Sequence, residues 1–203
     1  MTPAEFHKLY DCTGSQHTKD LLLFGYWTGC HAGEIMKLKW SMIDLRKRII
    51  TLPAEITKEG RAKKVPISDA VYGILTRDGR FLRAAGIIGY VFTYQNKPIT
   101  RAFTTGLKTA SDAAGIPWGR ETDGGWIFHD LRRTFKTEMR RAGVHKSVMD
   151  AIVGHADHRD MDTHYNIIED SDLHEAMKKL AEFRLKNSEE MAEKPELFSA
   201  NVD

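Results

Sequence analysis

His129 and Arg132 stand three residues apart in FHDLRRTF, residues 128–135. On a helix that spacing puts both side chains on one face. A helix start also favours anions. The pair therefore makes a clamp for a phosphate: the arginine forks onto two oxygens, and the histidine gives or takes a proton. A solvated basic helix with one partly buried histidine accounts for the same residues. In VGHADHRDMDTHYNI, residues 153–167, Gly154-His155 closes one helix and Tyr165 follows ten residues after His155. A tyrosine hydroxyl is a poor nucleophile at neutral pH unless its charge is stabilised and a base is near. His155 supplies part of that; the alternative is a Tyr165 that merely packs with its hydroxyl satisfied. His155, His158 and His164 are also possible metal ligands, but spacings of three and six fit no standard zinc pattern. Lys58, in ITKEGRAKKVPI, sits where a hairpin tip could carry it into a site as a general acid, or where it is simply solvated. TGCHAGEIMKLKW, residues 28–40, reads as a helix end, a tight turn and a new helix, with His31 held between Gly29 and Gly33 ahead of Glu34.

The elements that must position these residues are legible in outline. TPAE (2–5) is a helix start: Thr2 caps, Pro3 suits the first turn and Glu5 completes a capping box. An apolar helix over about 17–28 should be buried, and a short one carries Ile35, Met36 and Leu38. WSMIDL, RKRIITL and KKVPI are short β-like runs, which predict three antiparallel strands, the last two joined by a charged loop. Ser68-Asp69 caps a helix expected to reach about Ala84, and GYVFTY (89–94) is a short apolar run. ITRAFTTGLKTASDAAG is expected to be helical up to Gly115. WIFHDLRRTFKTEMRRAG is a strongly amphipathic helix stopped by Gly143, and HKSVMDAIVG a shorter one. SDLHEAMKKLAEFRLKN is a long helix with Leu173, Ala176, Met177 and Leu180 along one stripe. That stripe can pack on its own domain or on a neighbouring copy. The expected fold class is α+β, mainly α-helical with a small three-stranded antiparallel sheet. One domain spans 1–186, and 187–203 form a polar tail.

Composition narrows the classes. The 203 residues are 41% hydrophobic and 29% charged, with a net charge of +2. Bulk charge does not announce a nucleic-acid binder, so any basic footprint must be local. Two cysteines, Cys12 and Cys30, are too few for a disulfide framework and match no metal spacing. The longest early apolar run, LLLFGYW (21–27), is too short to span a bilayer, and nothing resembling a signal peptide precedes it. The expectation is a cytoplasmic protein that does not enter membranes.

Taken together and in order, TGCHAGE (28–34), the lysine of TKEGRAKKVP (Lys58), HDLR (129–132), Gly154-His155 and Tyr165 resemble the catalytic domain of the tyrosine recombinases, the phage-integrase family. The resemblance covers the chain from about Thr2 to Lys186. It implies attack by Tyr165 on a DNA phosphodiester, giving a 3′-phosphotyrosyl bond and a released 5′-hydroxyl. It further implies that Arg132 holds the non-bridging oxygens, Lys58 protonates the leaving group, His129 assists proton transfer and His155 hydrogen-bonds the phosphate. Arg133 and Arg61 are added as expected DNA contacts. No metal or nucleotide cofactor is implied. The implied partners are double-stranded DNA and further copies of the chain, a tetramer on DNA and a monomer off it, in a bacterial or phage-encoded setting.

Three departures from the family pattern stand out. His31 stands in TGCHAGE where the family's TGxRxxE pattern has arginine. Arginine offers a permanently charged fork, whereas histidine is mostly neutral at pH 7 and offers at most one well-aimed donor. Losing one transition-state contact costs about 10²- to 10³-fold in rate. The expectation is DNA binding with reduced or absent cleavage, and the alternative is an inactive DNA-binding protein that keeps the fold. Whether His31 is natural or engineered stays open. The ten-residue step from His155 to Tyr165 is one longer than the family pattern. The family's usual N-terminal DNA-clamping domain is also absent from this sequence, which predicts weak, strongly salt-dependent DNA binding by this chain alone.

Overall fold

The computed structural model describes residues 1–77, 89–100, 103–155 and 167–193. Helix α1 (Pro3–Asp11) opens with the expected capping box: the Thr2 amide donates to Glu5 Oε2 at 2.6 Å, and the Glu5 amide donates to Thr2 Oγ1 at 3.2 Å. Helix α2 (Gln16–Thr28) is the central buried helix, with Leu21, Leu22 and Phe24 at 1% exposure or less. It ends at Gly29, which adopts φ +63°. Helix α3 (Ala32–Lys37) follows after two residues.

Three short strands form the expected antiparallel sheet, in the order β1 (Ile43–Asp44), β2 (Ile49–Leu52), β3 (Lys63–Pro66). The first expected run is mostly a 3-10 turn at Trp40–Met42, which leaves β1 only two residues long. Register pairs Ile50 with Val65 and Leu52 with Lys63. The resulting alternation turns Lys63 and Val65 inward and Lys64 outward.

Helix α4 (Asp69–Thr76) starts on a Ser68 cap and ends earlier than expected: Arg77 leaves helical geometry and donates to buried Asp20 at 2.6 Å. Residues 78–84 of the expected helix lie outside the described residues. A second hairpin, β4 (Thr93–Tyr94) and β5 (Lys97–Pro98), was not anticipated. Its turn uses Gln95 and Asn96 at φ 49° and 60°, the left-handed pair that matches strand twist. It displaces the start of helix α5 from about Ile99 to Thr104, and α5 runs to Ala114.

Helix α6 (His129–Arg141) is seated on α2. A Cβ on Gly25 would lie 2.5 Å from Phe128 Cζ, so glycine lets α2 and the start of α6 approach. Helix α7 (Lys146–Val153) ends at Gly154 with φ +81°. Helix α8 (Asp170–Glu193) continues past residue 186 and packs its stripe on its own domain, with Leu173, Ala176, Met177 and Leu180 all at 5% exposure or less. Arg184 anchors it: Nη2 donates to Glu138 Oε2 at 2.6 Å, and the guanidinium lies 3.6 Å over the Tyr26 ring. The fold is therefore mainly helical with a small antiparallel sheet. Among the described residues no helix is long and apolar enough to cross a membrane.

Candidate active site

Four polypeptide turns converge on one point. The first is the α2–α3 turn. Thr28 Oγ1 accepts from the Cys30 amide at 3.2 Å, and Glu34 Oε2 accepts from the His31 amide at 2.8 Å. The two bonds hold the backbone amides of residues 30 and 31, and neither uses the His31 side chain. Gly29 cannot gain a side chain cheaply, since a Cβ there would sit 2.6 Å from Phe135 Cδ1. Cys30 beside it is buried and burial pushes its thiol up to about 11, which disqualifies it as a nucleophile near neutral pH.

The second is the start of α6. Asp130 Oδ2 accepts from the Ile127 amide at 2.8 Å and secures the first turn. One helix face then presents His129, Arg132 and Lys136 at i, i+3 and i+7. Arg132, only 3% exposed, donates to the Gly29 carbonyl at 3.0 Å and the Val153 carbonyl at 2.7 Å. Its fork is thereby locked between the first turn and the third, at Gly154. The His129 ring stacks on His31, with centroids 5.0 Å apart and planes 9° apart.

The third turn carries His155. Lys136 Nζ lies 3.1 Å from His155 Nδ1. An ammonium only donates, so a neutral His155 carries its proton on Nε2, the nitrogen nearer the site. The fourth is the β2–β3 loop, closed by Thr57 Oγ1, which accepts from the Arg61 amide at 3.1 Å. The loop brings Glu59 into the convergence point. Glu59 Oε1 lies 3.0 Å from Arg132 Nη2, 3.4 Å from His31 Nε2 and 3.9 Å from His155 Nε2.

Beneath these turns Lys63 Nζ donates to both Glu34 oxygens at 2.9 Å and to the Val153 carbonyl at 3.1 Å. Both side chains of that pair are 1% exposed. A Cβ on Gly154 would lie 2.9 Å from Lys63 Cδ, so the third turn rests directly on this lysine.

The electrostatics follow from the packing. Burial, then the Arg132 charge, holds the His31 imidazole below its usual range, against the opposing pull of Glu34 and Glu59. Burial lowers His129, with help from the charges of Arg133, Arg132 and Lys58. Burial, then Lys136 and Arg132, lowers His155. Burial works to raise the Glu59 carboxyl, but Arg132, Lys63 and His31 hold it below the usual carboxylate range.

Of the residues singled out in the sequence, His31, His129, Arg132 and His155 come together. Lys58 is exposed on the loop tip next to Glu59, near enough for its charge to act on His129. Arg61 is exposed on the same loop. Arg133 is exposed and pairs with Asp130 at 3.1 Å, and its charge acts on His129. Tyr165, His158 and His164 lie outside the described residues. The site residues not foreseen are Glu59, Lys63 and Lys136. The α6 spacing signals Lys136, and an inward charge on β3 signals Lys63; nothing in TKEG marks Glu59. Among the described residues no group of three His, Cys, Asp or Glu is arranged to hold a metal ion.

Comparison with known proteins gives a coherent pattern. The model of the phage integrase family matches residues 1–171. The integrase of Salmonella phage P22 is 26% identical over 164 residues, covering 76% of this chain and 40% of that protein. The crystal structure of XerA recombinase superposes with a TM-score of 0.63 at 22% identity, covering 88% of this chain and 64% of that one. The Tn1549 transposon integrase, in complex with transposon right end DNA, superposes with a TM-score of 0.59 at 22% identity, covering 89% and 65%. The chain thus spans about two fifths of the length of the phage relative.

Proposed function

The chain belongs to the phage integrase family of tyrosine recombinases, and from that premise we propose that it cleaves and rejoins DNA strands at a specific site through Tyr165. The observation that carries this reading is the convergence of Arg132, His31 and His155 on a single carboxylate oxygen of Glu59. A point that gathers one buried guanidinium and two imidazoles is built for an anionic oxygen, and a phosphodiester supplies two.

In this mechanism the Tyr165 hydroxyl passes its proton to His129 as its oxygen attacks phosphorus and forms a 3′-phosphotyrosyl bond. The bond to the 5′-oxygen breaks, and Lys58 gives that oxygen its proton. Arg132 is already oriented by the Gly29 and Val153 carbonyls, so its remaining N–H groups meet the developing charge without reorganisation. His155 donates from Nε2. His129 assists proton transfer. The strand is resealed by the reverse step, and the covalent intermediate conserves the bond, so no cofactor enters. On DNA the reading includes copies acting in pairs within a tetramer, and a monomer off DNA.

His31 limits the rate. Stacked on His129 and held neutral by burial, it contributes one directional hydrogen bond where an arginine would contribute a charged fork. The test is a nicked suicide DNA substrate. Covalent protein–DNA adduct is expected at a low level, absent in Tyr165→Phe and raised about 10²-fold or more in His31→Arg. Adduct that persists in Tyr165→Phe would sink the mechanism. DNA binding with no adduct from either the natural chain or His31→Arg favours the second reading, an inactive DNA-binding protein.

A further inference from the structure

Glu59 is an unexpected occupant of a site built for a phosphate. It belongs to the β2–β3 loop, immediately after Lys58. Its Oε1 takes the central position between Arg132, His31 and His155. Its Oε2 is buried and has no hydrogen-bond partner among the described residues. The surrounding charges favour the carboxylate, but one of its oxygens is shared by three groups and the other makes no hydrogen bond, so its acceptors are only half used. A phosphodiester has two non-bridging oxygens and could use the same donors more completely. The two anions cannot share the position, because like charges in a half-buried site repel strongly.

Resting on the reading of this point as a phosphate seat, we propose that Glu59 is an internal competitor that holds the seat closed until a DNA phosphate displaces it. Displacement has a second effect. Lys58 is bonded to Glu59 in the chain, so the loop tip that withdraws the carboxylate also moves the lysine. Adjacent Cα atoms stay about 3.8 Å apart, and neither residue shifts far alone. Entry of substrate and repositioning of the proton donor become one event. Off DNA, the same contact keeps Arg132 neutralised and the seat shut to stray anions.

The test titrates inorganic phosphate into the folded chain and follows the histidine ring protons by NMR. Glu59→Gln keeps the side-chain shape and removes the charge; it should bind phosphate about tenfold more tightly than the natural chain. Glu55→Gln removes an equal charge from the same loop outside the seat and should stay within about twofold. Hydrogen exchange at the amides of residues 57–61 should rise when phosphate binds the natural chain, and should already be raised in Glu59→Gln. Equal affinity in Glu59→Gln and the natural chain overturns the proposal, as does an equal gain in Glu55→Gln or exchange that phosphate leaves unchanged. Arg132→Gln in the Glu59→Gln background separates the two levels, with His155→Gln used if that variant does not fold. Binding that survives both changes, or no phosphate binding by any variant, overturns the seat itself and Glu59's role with it.

Discussion

Lys63 and Lys64 are neighbours on β3, and replacing each with methionine should have opposite consequences. Lys63 is sealed against Glu34, with both side chains 1% exposed and three bonds at 2.9–3.1 Å. Lys63→Met leaves the Glu34 carboxylate buried without its cation and strips the Val153 carbonyl of one of its two donors. Breaking such a pair costs about 3–5 kcal/mol. A domain of this size is stable by about 5–15 kcal/mol, so the loss is a large fraction of the whole. Lys64 pairs with Asp170 at 2.7 Å, but the two side chains are 52% and 37% exposed. Lys64→Met should cost less than about 1 kcal/mol. Urea unfolding followed by circular dichroism reads both from the midpoint at constant slope. A double variant, Glu34→Met with Lys63→Met, should recover part of the loss, since an apolar pair of similar volume replaces the ion pair, while the His31 amide loses its acceptor. Equal midpoints for the two single variants would refute the argument, because the reasoning rests wholly on the burial of one lysine and not the other. So would a double variant no more stable than Lys63→Met alone.

Two further outcomes follow from the turns and the histidines. Gly29→Ala should destabilise by about 2–4 kcal/mol, from the left-handed backbone and the close approach of Phe135, whereas Gly33→Ala, inside α3 with no atom near its Cβ position, should stabilise by about 0.5–1 kcal/mol; thermal melts rank the two. Stability should fall as pH drops from 7.5 to 5.5. Histidines in the unfolded chain take up protons near 6.5, while burial keeps His31, His129 and His155 from doing so until lower pH. The unfolded state then binds more protons, so stability rises with pH across that window. Glu59, held below 4.5, adds a further loss only in stronger acid. A melting temperature that stays flat from pH 7.5 to 5.5 would contradict the buried, neutral histidines.

The parts of the fold written in local chemistry were legible in the sequence. The Thr2 capping box, the Gly-bracketed turn at 28–34, the three-stranded sheet and the amphipathic α6 each follow from residue type and period. The long-range pairings were not. Glu34 reads locally as a first-turn acid, and only the tertiary structure sets it 2.9 Å from Lys63, twenty-nine residues away. Arg77, where α4 ends, pairs with Asp20, fifty-seven residues back. The β4–β5 hairpin is short, and its turn pair Gln95-Asn96 is a weak signal beside the stronger Asn-Gly pattern. The two roles open to the α8 stripe could not be separated by periodicity, which is the same for a helix on its own core and one on a neighbour; the Arg184–Glu138 contact distinguishes them. In the site, HDLR and Gly154-His155 marked residues that do meet. Nothing local marks Glu59, because an acid in a charged loop is ordinary until its partners are known.

The turn holding residue 31 is secured by Thr28, Gly29 and the Glu34 carboxylate, all acting on backbone, while Arg132 and Lys63 fasten the layer below. The side chain at 31 carries none of that architecture. Position 31 is therefore one where the side chain can change without unfolding the molecule.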